Sequence, residues 1–404
     1  MRQLQNLLGR WTAALMPLMA VVGALAVGAV ILAFLDTNPL TAYRAMVTGA
    51  FGSKNGLADT LVVATPLLLV ALGVTIAFRA NVINIGGEGQ LIMAALATTY
   101  LAVAVGDVLP GWVVIPFCLM LGSLAGGAWA ALAGFLKARL GVNEILSTIM
   151  LNQIAIQIGY YLLRGPMLDP AERAAGTNIP HSARLPQATD LLRFADVTKR
   201  LALPPSKEAG INGYAGELYG LLADPTRLHT GVLIGLVMAL VVYVFLWRTT
   251  LGYRIRAVGL NPHAARYAGI NVARTVVASM GLSGGLIGLA GAVEILGLHH
   301  RMFEPASVSA GYGFSGIVVA LFGKLHPLGA IPSALLFGGL LVGGDKMQRA
   351  VQIPDALVTA LLGLIVIFVV SSELWSRRQA SRRAAQVVVK DSPTGISKPV
   401  VVSW

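Results

Sequence analysis

The chain is 404 residues long, and 56% of its side chains are apolar whereas only 12% are charged. A soluble globular domain carries about 25% charged residues, so this composition excludes an ordinary soluble protein and indicates a chain that spans a bilayer. The formal net charge of +12 does not indicate nucleic-acid binding, because the basic residues are scattered between apolar segments and form no basic stripe with interleaved aromatic residues. The single cysteine, Cys118, excludes an intrachain disulfide and a metal site built from cysteines.

Ten apolar segments are predicted to be transmembrane helices, since a helix needs about 20 apolar residues to cross the hydrocarbon core. They are residues 11–35, 59–78, 84–106, 111–136, 144–163, 229–247, 274–298, 314–323, 328–344 and 354–372. The eighth segment is short and follows the glycine-rich sequence SAGYG at 309–313, so we expect a broken or re-entrant helix there. The predicted fold class is an all-α integral membrane protein with ten spans, plus or minus one.

The chain divides into two halves, and each half contains an interrupted span. The first interruption is 81–90 and the second is 311–316, and both are rich in glycine. Corresponding interrupted spans favour an inverted repeat with a pathway between the halves. We expect residues 1–372 to form a single transmembrane domain and residues 373–404 to form a basic, disordered tail.

The distribution of lysine and arginine predicts the orientation. These residues concentrate in the loops on the same side as the N-terminus, whereas the short loops on the other side hold few of them. Those few are Arg44, Lys54, Arg301, Lys346 and Arg349. The positive-inside rule therefore places both termini in the cytoplasm, and the long segment 164–228 is not counted because long loops translocate regardless of charge. That segment is predicted to be an external cap or docking surface.

A long basic connection, 249–271, lies on the predicted cytoplasmic side. Asn261 is a favourable helix N-cap, Pro262 suits the first helical position, and Gly269 suits a helix end. We therefore expect a short exposed helix over 262–268. From composition alone, the alternative is positive-inside charge with a turn in it.

Resemblance to a known family adds to this interpretation. The spacing Ala264-Ala265-x-x-x-Gly269 resembles the coupling motif of ABC importer permeases, although His263 stands where that motif has a glutamate. A wider resemblance joins the chain to permeases of the branched-chain amino acid, simple sugar and nucleoside group. It rests on the blocks 81–90, 250–274, 283–292 and 311–322. Within the group, NIGGEGQ at 84–90 and GYGF at 311–314 are most similar to permeases for guanosine and other purine nucleosides that work with basic-membrane-protein-type lipoprotein receptors.

The resemblance implies a channel-forming subunit of an ATP-driven importer for nucleosides, or for a related small polar solute such as a simple sugar, in a bacterial inner membrane. It also implies three partners: cytoplasmic ABC ATPases that use ATP and Mg, a second homologous permease, and an extracytoplasmic substrate-binding protein or lipoprotein. No G-x-x-x-x-G-K-[ST] phosphate loop occurs in this chain, so we expect no catalysis and no bound cofactor here. The residues assigned to ATPase coupling are Gly252, Arg254, Arg256, Gly259, Asn261, Pro262, Ala264, Ala265 and Gly269.

Several polar residues lie within or beside apolar spans, where they are costly unless they face protein, water or a partner. We consider them candidates for a substrate pathway. They are Asn84, Glu88, Gln90, Asn152, Gln153, Gln157, Glu294, Phe314 and Ser315, the last two being included for their place after the second interruption. Each has an alternative structural role. Glu88 and Asn84 are also suited to capping the helix that begins near Gln90, the amides of the fifth span to bridging helices, and Glu294 to a buried pairing.

Two other interpretations remain open from sequence alone. An ion-coupled secondary transporter has a similar number of spans, and Glu88 or Glu294 would then carry a proton, but the basic helix would have no role. A membrane enzyme would need a nucleophile and base or a metal cluster, and we find neither. The adjacent His299 and His300 are expected to be solvated at the interface and not to hold a metal, because consecutive residues point apart on a helix.

Overall fold

A computed structural model describes most of the chain. It covers residues 19, 21–177, 179–206, 208–210, 213–354, 356–361, 363–365, 367, 368 and 371. Its helices are α1 (Val21–Phe34), α2 (Pro39–Phe51), α3 (Lys54–Arg79), α4 (Gly87–Val105), α5 (Gly111–Leu140), α6 (Glu144–Arg164), α7 (Pro170–Ala175), α8 (Phe194–Arg200), α9 (Gly213–Ala223), α10 (Gly231–Arg248), α11 (Thr250–Leu260), α12 (Pro262–Tyr267), α13 (Val272–Glu294), α14 (Pro305–Ser309), α15 (Tyr312–Phe322) and α16 (Pro327–Val351). No strand is present in these residues, so the all-α prediction is confirmed for the described part.

Eight helical segments in this part are long and apolar enough to cross a membrane. They are α3, α4, α5, α6, α10, α13 with its extension to His299, α14 together with α15, and α16. The first and tenth predicted segments coincide with shorter apolar helices, Val21–Phe34 and Ala356–Ile365, and extend outside the described residues. The predicted count of ten is therefore not confirmed, and the tail 373–404 lies outside the described residues.

The chain forms two compact units, one of residues Met1–Ala42 and Val351–Trp404, the other of residues Tyr43–Ala350. In the first unit, Gly23 packs against the ring of Phe368: a Cβ added at Gly23 would lie 3.2 Å from the nearest ring carbon. All the site residues considered below lie in the second unit.

Helix α13 lies at the centre of the second unit and packs against α3, α4 and α5. Glycines make the close approach possible: a Cβ at Gly284 would lie 2.4 Å from the Gly126 carbonyl oxygen, and one at Gly288 would lie 2.5 Å from the Gly122 carbonyl oxygen. Small residues at such a crossing let two membrane helices pack backbone to backbone. The glycine-rich sequence thus builds the core of the bundle.

Both predicted interruptions are present. Between α3 and α4 the chain is non-helical, with Val82 and Asn84 buried, and the exposed Asn81 takes a left-handed conformation with φ 56°. Between α14 and α15 the break falls at Ala310 and Gly311, with φ 45° and 73°. A third irregularity was not predicted: α13 continues into a π-helix, Ile295–His299. Such irregular helices are tolerated at membrane depth where protein surrounds them.

The segment after α6 folds onto the end of α13. Backbone N–H groups of Ser182, Leu185 and Leu191 donate to carbonyl oxygens of residues 302, 300 and 296 at 2.8–2.9 Å. Further along, Asp224 accepts hydrogen bonds from the Lys54 ammonium group at the start of α3 and from Ser206. These bonds fix the segment to the bundle.

The Asp224 carboxyl group provides a test of this attachment. Burial tends to raise its pKa, but hydrogen bonds from Lys54 and Ser206 lower the pKa to about 2. A lowered carboxyl pKa stabilises the folded state above the unfolded value of about 3.9, and this stabilisation disappears as the pH falls through about 2.

We expect Asp224→Asn to lower the free energy of unfolding at pH 7 by about 2 kcal/mol. The measurement is thermal unfolding in detergent at pH 7 and at pH 3. The difference in stability between the variant and the wild type should be smaller at pH 3 than at pH 7. The control is Asp107→Asn, because Asp107 is exposed. Equal effects of the two substitutions would contradict the attachment.

Candidate functional site

The first turns of α4 and α15 meet inside the second unit. A Cβ at Gly87 would lie 2.9 Å from the Cα of Gly313, and a Cβ at Gly313 would overlap the backbone nitrogen of Glu88. Only residues without a side chain allow this approach. The two interruptions, far apart in sequence, are therefore one contact in space.

Glu88 joins the two helix ends at this contact. Its side chain is buried, with 6% exposed, and its Oε1 accepts hydrogen bonds from the backbone N–H groups of Gly313 at 2.7 Å and Phe314 at 3.3 Å. A carboxylate is favourable at a helix N-terminus, where N–H groups lack partners inside the helix. Glu88 thus caps α15, a helix of the other half of the chain, while it stands in the first turn of α4. Its pathway role remains a prediction.

Asn84, Gln90 and Ser283 form a buried amide network. The Nδ2 of Asn84 donates to Gln90 Oε1 at 3.1 Å and to Ser283 Oγ at 2.9 Å, and Gln90 Nε2 donates to Asn84 Oδ1 at 2.9 Å. The backbone N–H of Gly86 also donates to Asn84 Oδ1, at 3.0 Å. The network links the break before α4 to α13. Sequence reasoning missed Ser283, although a hydroxyl side chain within a glycine-rich apolar span was a signal for a buried partner.

The three amides of α6 separate into two environments. Asn152 is buried, accepts a hydrogen bond from Gly89 N–H at 2.9 Å and donates to the Ile85 carbonyl oxygen at 3.0 Å. Gln153 and Gln157 are exposed and line a shallow groove of about 390 Å³ on α6. Asn152 bridges helices. Gln153 and Gln157 instead expose their side chains on the surface of the chain, near the middle of a span.

Two further candidates after the second break face outward. Phe314 is 50% exposed and Ser315 is half-buried. Gly313 and Asn152, the residues just before Phe314 and Gln153, both contact the first turn of α4. Phe314 and Gln153 therefore each follow, by one residue, a residue that contacts this turn.

Glu294 is buried near the π-helix. Its Oε2 lies 3.5 Å from Nε2 of His299. His300 pairs instead with Asp190, with Nδ1 to Oδ1 at 2.8 Å. The adjacent histidines thus contact different carboxylates, and no group of three metal-binding side chains occurs in the described residues.

The basic connection contains the predicted short helix, observed as α12. The Oδ1 of Asn261 accepts hydrogen bonds from the N–H groups of His263 and Ala264, each at 3.0 Å, and Gly269 has φ 77° after the helix end. Ala265 is buried, whereas Tyr267 is 96% exposed. A helix capped at its start and followed by a left-handed glycine is a short rigid unit with an exposed face.

Comparison with known proteins identifies the family. Residues 56–370 match the family described as branched-chain amino acid transport system, permease component. The glucose ABC transporter permease of Haloferax volcanii is 36% identical over 368 residues, which cover 91% of this chain and 90% of the relative. The guanosine ABC transporter permease of Bacillus subtilis is 32% identical over 361 residues, 89% of this chain and 93% of the relative. The nucleoside ABC transporter permease of Lactococcus lactis is 31% identical over 356 residues, 88% and 90%.

The chain belongs to this permease family. It is a multi-pass membrane protein and a transport subunit, the permease of an ABC importer. No solved structure matches it.

In the permease, α11 connects α12 to the bundle. Two glycines of α11, Gly252 and Gly259, pack directly on backbone carbonyl groups of Phe245 and Arg79, so no Cβ fits at either position. Gly252 and Gly259 were assigned to coupling, and the structure places them at the base of the segment.

A cluster around Trp247 makes a second connection. The guanidinium carbons of Arg79 and Arg256 lie 5.4 and 5.8 Å from the Trp247 ring centroid, and Arg79 Nη2 donates to the Leu325 carbonyl oxygen at 2.8 Å. Cations at this distance are attracted by the indole ring. Arg254, by contrast, is exposed. Sequence reasoning missed Arg79 and Trp247, because no local pattern brings them together.

The contact between α4 and α15 yields a prediction for Gly313. An alanine Cβ there would overlap the Glu88 backbone, so we expect Gly313→Ala to lower the free energy of unfolding by about 1–3 kcal/mol. The measurement is thermal unfolding of the purified permease in detergent.

The matched control is Gly281→Ala in α13. Its Cβ would meet Ala131 at 3.7 Å, an ordinary contact. We expect this variant to be unchanged or slightly stabilised, since alanine is favoured over glycine in a helix. If Gly313→Ala is as stable as Gly281→Ala, the two helix ends do not touch as described.

Proposed function

We propose that this permease imports nucleosides, or a related small polar solute such as a simple sugar, driven by ATP hydrolysis on a separate ABC ATPase. The observation that carries the proposal is α12, a capped and exposed helix whose base packs on α3 and α10 through α11. A rigid exposed helix suits a groove on a partner. The ATPase would bind ATP and Mg, and this chain would bind no cofactor.

The proposed assembly has four kinds of component. Besides this chain and the ATPase, a second homologous permease completes the pore, and an extracytoplasmic substrate-binding protein or lipoprotein delivers the solute to the external cap, 164–228. The basic loops favour an inner-membrane protein with both termini cytoplasmic. In this proposal residues 1–372 form the permease domain, 249–271 form the coupling loop, and 373–404 form a cytoplasmic tail.

The candidate pathway residues fall into two groups with different proposed roles. Asn84, Glu88, Gln90 and Asn152 make hydrogen bonds inside the chain, so they hold the helix breaks in place. Glu294 belongs to the same group, because it is equally buried and lies beside His299.

The outward-facing residues, Gln153, Gln157, Phe314 and Ser315, are better placed to meet a solute. An amide exposed to hydrocarbon is costly, which favours a polar path or a second subunit on this surface.

This surface also suits the proposed substrates. An aromatic ring such as that of Phe314 stacks on a nucleobase, and the amides of Gln153 and Gln157 donate to and accept from ribose or sugar hydroxyl groups. The relatives named above are permeases for glucose, guanosine and nucleosides. A substitution at Phe314 therefore discriminates between a nucleoside and a sugar as the transported solute.

The substitution Phe314→Ala tests the pathway and the substrate class together. Loss of base stacking should raise the KM for guanosine uptake roughly tenfold and change glucose uptake less. Uptake is measured in proteoliposomes that contain the complete transporter. Phe117→Ala is the control, because Phe117 is similarly exposed, at 53%, on another span. Equal losses in the two variants would contradict a pathway at Phe314.

The proposed ATPase contact is tested at Gly269. We expect Gly269→Arg to abolish stimulation of ATP hydrolysis by substrate and to stop uptake, while membrane insertion is unchanged, because a bulky cation would stand at the end of α12. The measurements are ATPase activity and uptake by the reconstituted complex.

The matched control is Gly176→Arg, at the end of α7. Gly176 and Gly269 both have left-handed backbones, with φ 71° and 77°, and open space around a Cβ. The two variants therefore carry the same backbone strain on different parts of the molecule. Normal coupling in Gly269→Arg would refute α12 as the ATPase contact.

A further inference from the structure

A basic groove lies beside the coupling segment. It has a volume of about 620 Å³ and runs between the last turn of α10, the first turns of α11 and the residues that follow α12. Its lining includes Trp247, Arg248, Tyr253, Arg254 and Arg256. Three guanidinium groups therefore border one cavity together with two aromatic rings.

These three arginines have no counter-charge in the described part of the chain. None of them forms a salt bridge there, and the sequence has no Asp or Glu between Asp224 and Glu294. The Nε of Arg256 is buried and has no hydrogen-bond partner, although its guanidinium group lies near the Trp247 ring. The groove thus offers unused N–H donors and positive charge to an anion.

The position of the groove indicates the source of that anion. Trp247 and Arg248 are the last residues of span α10, so the groove opens where the span leaves the hydrocarbon. Trp and Tyr are enriched at this depth, and basic residues there attract anionic headgroups. Leu251 and Tyr253 of α11, which are 38% and 61% exposed, present apolar surface beside the cations.

We propose that this groove binds the phosphate of an anionic phospholipid headgroup. Arginine binds phosphate oxygens through two parallel N–H donors, and Thr249 and Thr250 add hydroxyl groups to the lining. The groove also includes Gly269, so a bound headgroup contacts both the beginning of α11 and the end of α12. Anionic lipid thereby holds the coupling segment in place. The inference rests on the proposed function only in placing the groove on the cytoplasmic leaflet.

The test measures lipid binding by the full-length chain, purified in detergent and stripped of lipid. Phosphatidylglycerol, phosphatidylcholine and inorganic phosphate are titrated separately, and bound molecules are counted by native mass spectrometry. We expect phosphatidylglycerol to bind more tightly than phosphatidylcholine, with roughly fivefold weaker affinity for each arginine removed in Arg248→Gln and Arg254→Gln. Arg248→Lys should lose less affinity than Arg248→Gln, since the charge remains although the two parallel N–H donors of the guanidinium group are lost.

The control is Arg266→Gln, because Arg266 is exposed on α12 but does not line the groove. An equal loss in that variant would show general charge attraction and overturn the site. Equal binding of both lipids would overturn the anionic headgroup, because phosphatidylcholine carries the same phosphate but no net charge. Inorganic phosphate competing at the concentration of phosphatidylglycerol would assign the groove to free phosphate and overturn the lipid source. No ATPase or transport is involved, so failure here leaves the proposed function untouched.

Discussion

The arrangement of the second unit depends on two helix N-termini that meet at Gly87 and Gly313, with the Glu88 carboxylate bound across them. Burying a carboxylate is costly unless hydrogen bonds compensate, and here free N–H groups of α15 provide them. Conversely, the end of α15 would be an unsatisfied helix terminus inside the bundle without Glu88. The first half of the chain therefore supplies the hydrogen-bond acceptor, Glu88, and the second half supplies the N–H donors that this buried carboxylate needs.

The same turn of α4 orders its other neighbours. Gly89 is hydrogen-bonded to Asn152, which fixes the position of α6. Gln90 is hydrogen-bonded to Asn84, and Asn84 donates to Ser283 on α13. The polar groups buried around this turn satisfy one another's hydrogen bonds, so they form a structural scaffold that holds the helices together. A solute needs donors and acceptors that are not already occupied, and in the residues described these lie outside the scaffold, on the faces of α6 and α15.

Local sequence signals were sufficient for part of this picture. Eight of the ten predicted spans, the two breaks and the short helix at Pro262 follow from apolar length, glycine content and capping residues, which act within a few positions of the chain. The roles of the polar residues could not be obtained this way. Neighbouring helical residues point about 100° apart, so Asn152 is buried while Gln153 is exposed, and only packing decides which. The partner of Glu88 lies in the other half of the chain, beyond any local pattern.

Helix α15 is held at both ends. Its first turn is bound by Glu88 of α4, and just beyond its last turn the Leu325 carbonyl oxygen is bound by Arg79 of α3. Arg79 also contacts Trp247, and its carbonyl group lies against Gly259 of α11. In the proposed mechanism, a displacement of the coupling segment therefore acts through Arg79 on the far end of the helix that carries Phe314. Because packed helices move as rigid bodies and do not deform continuously, this short helix is the physical link between ATPase contact and solute path in the proposed mechanism.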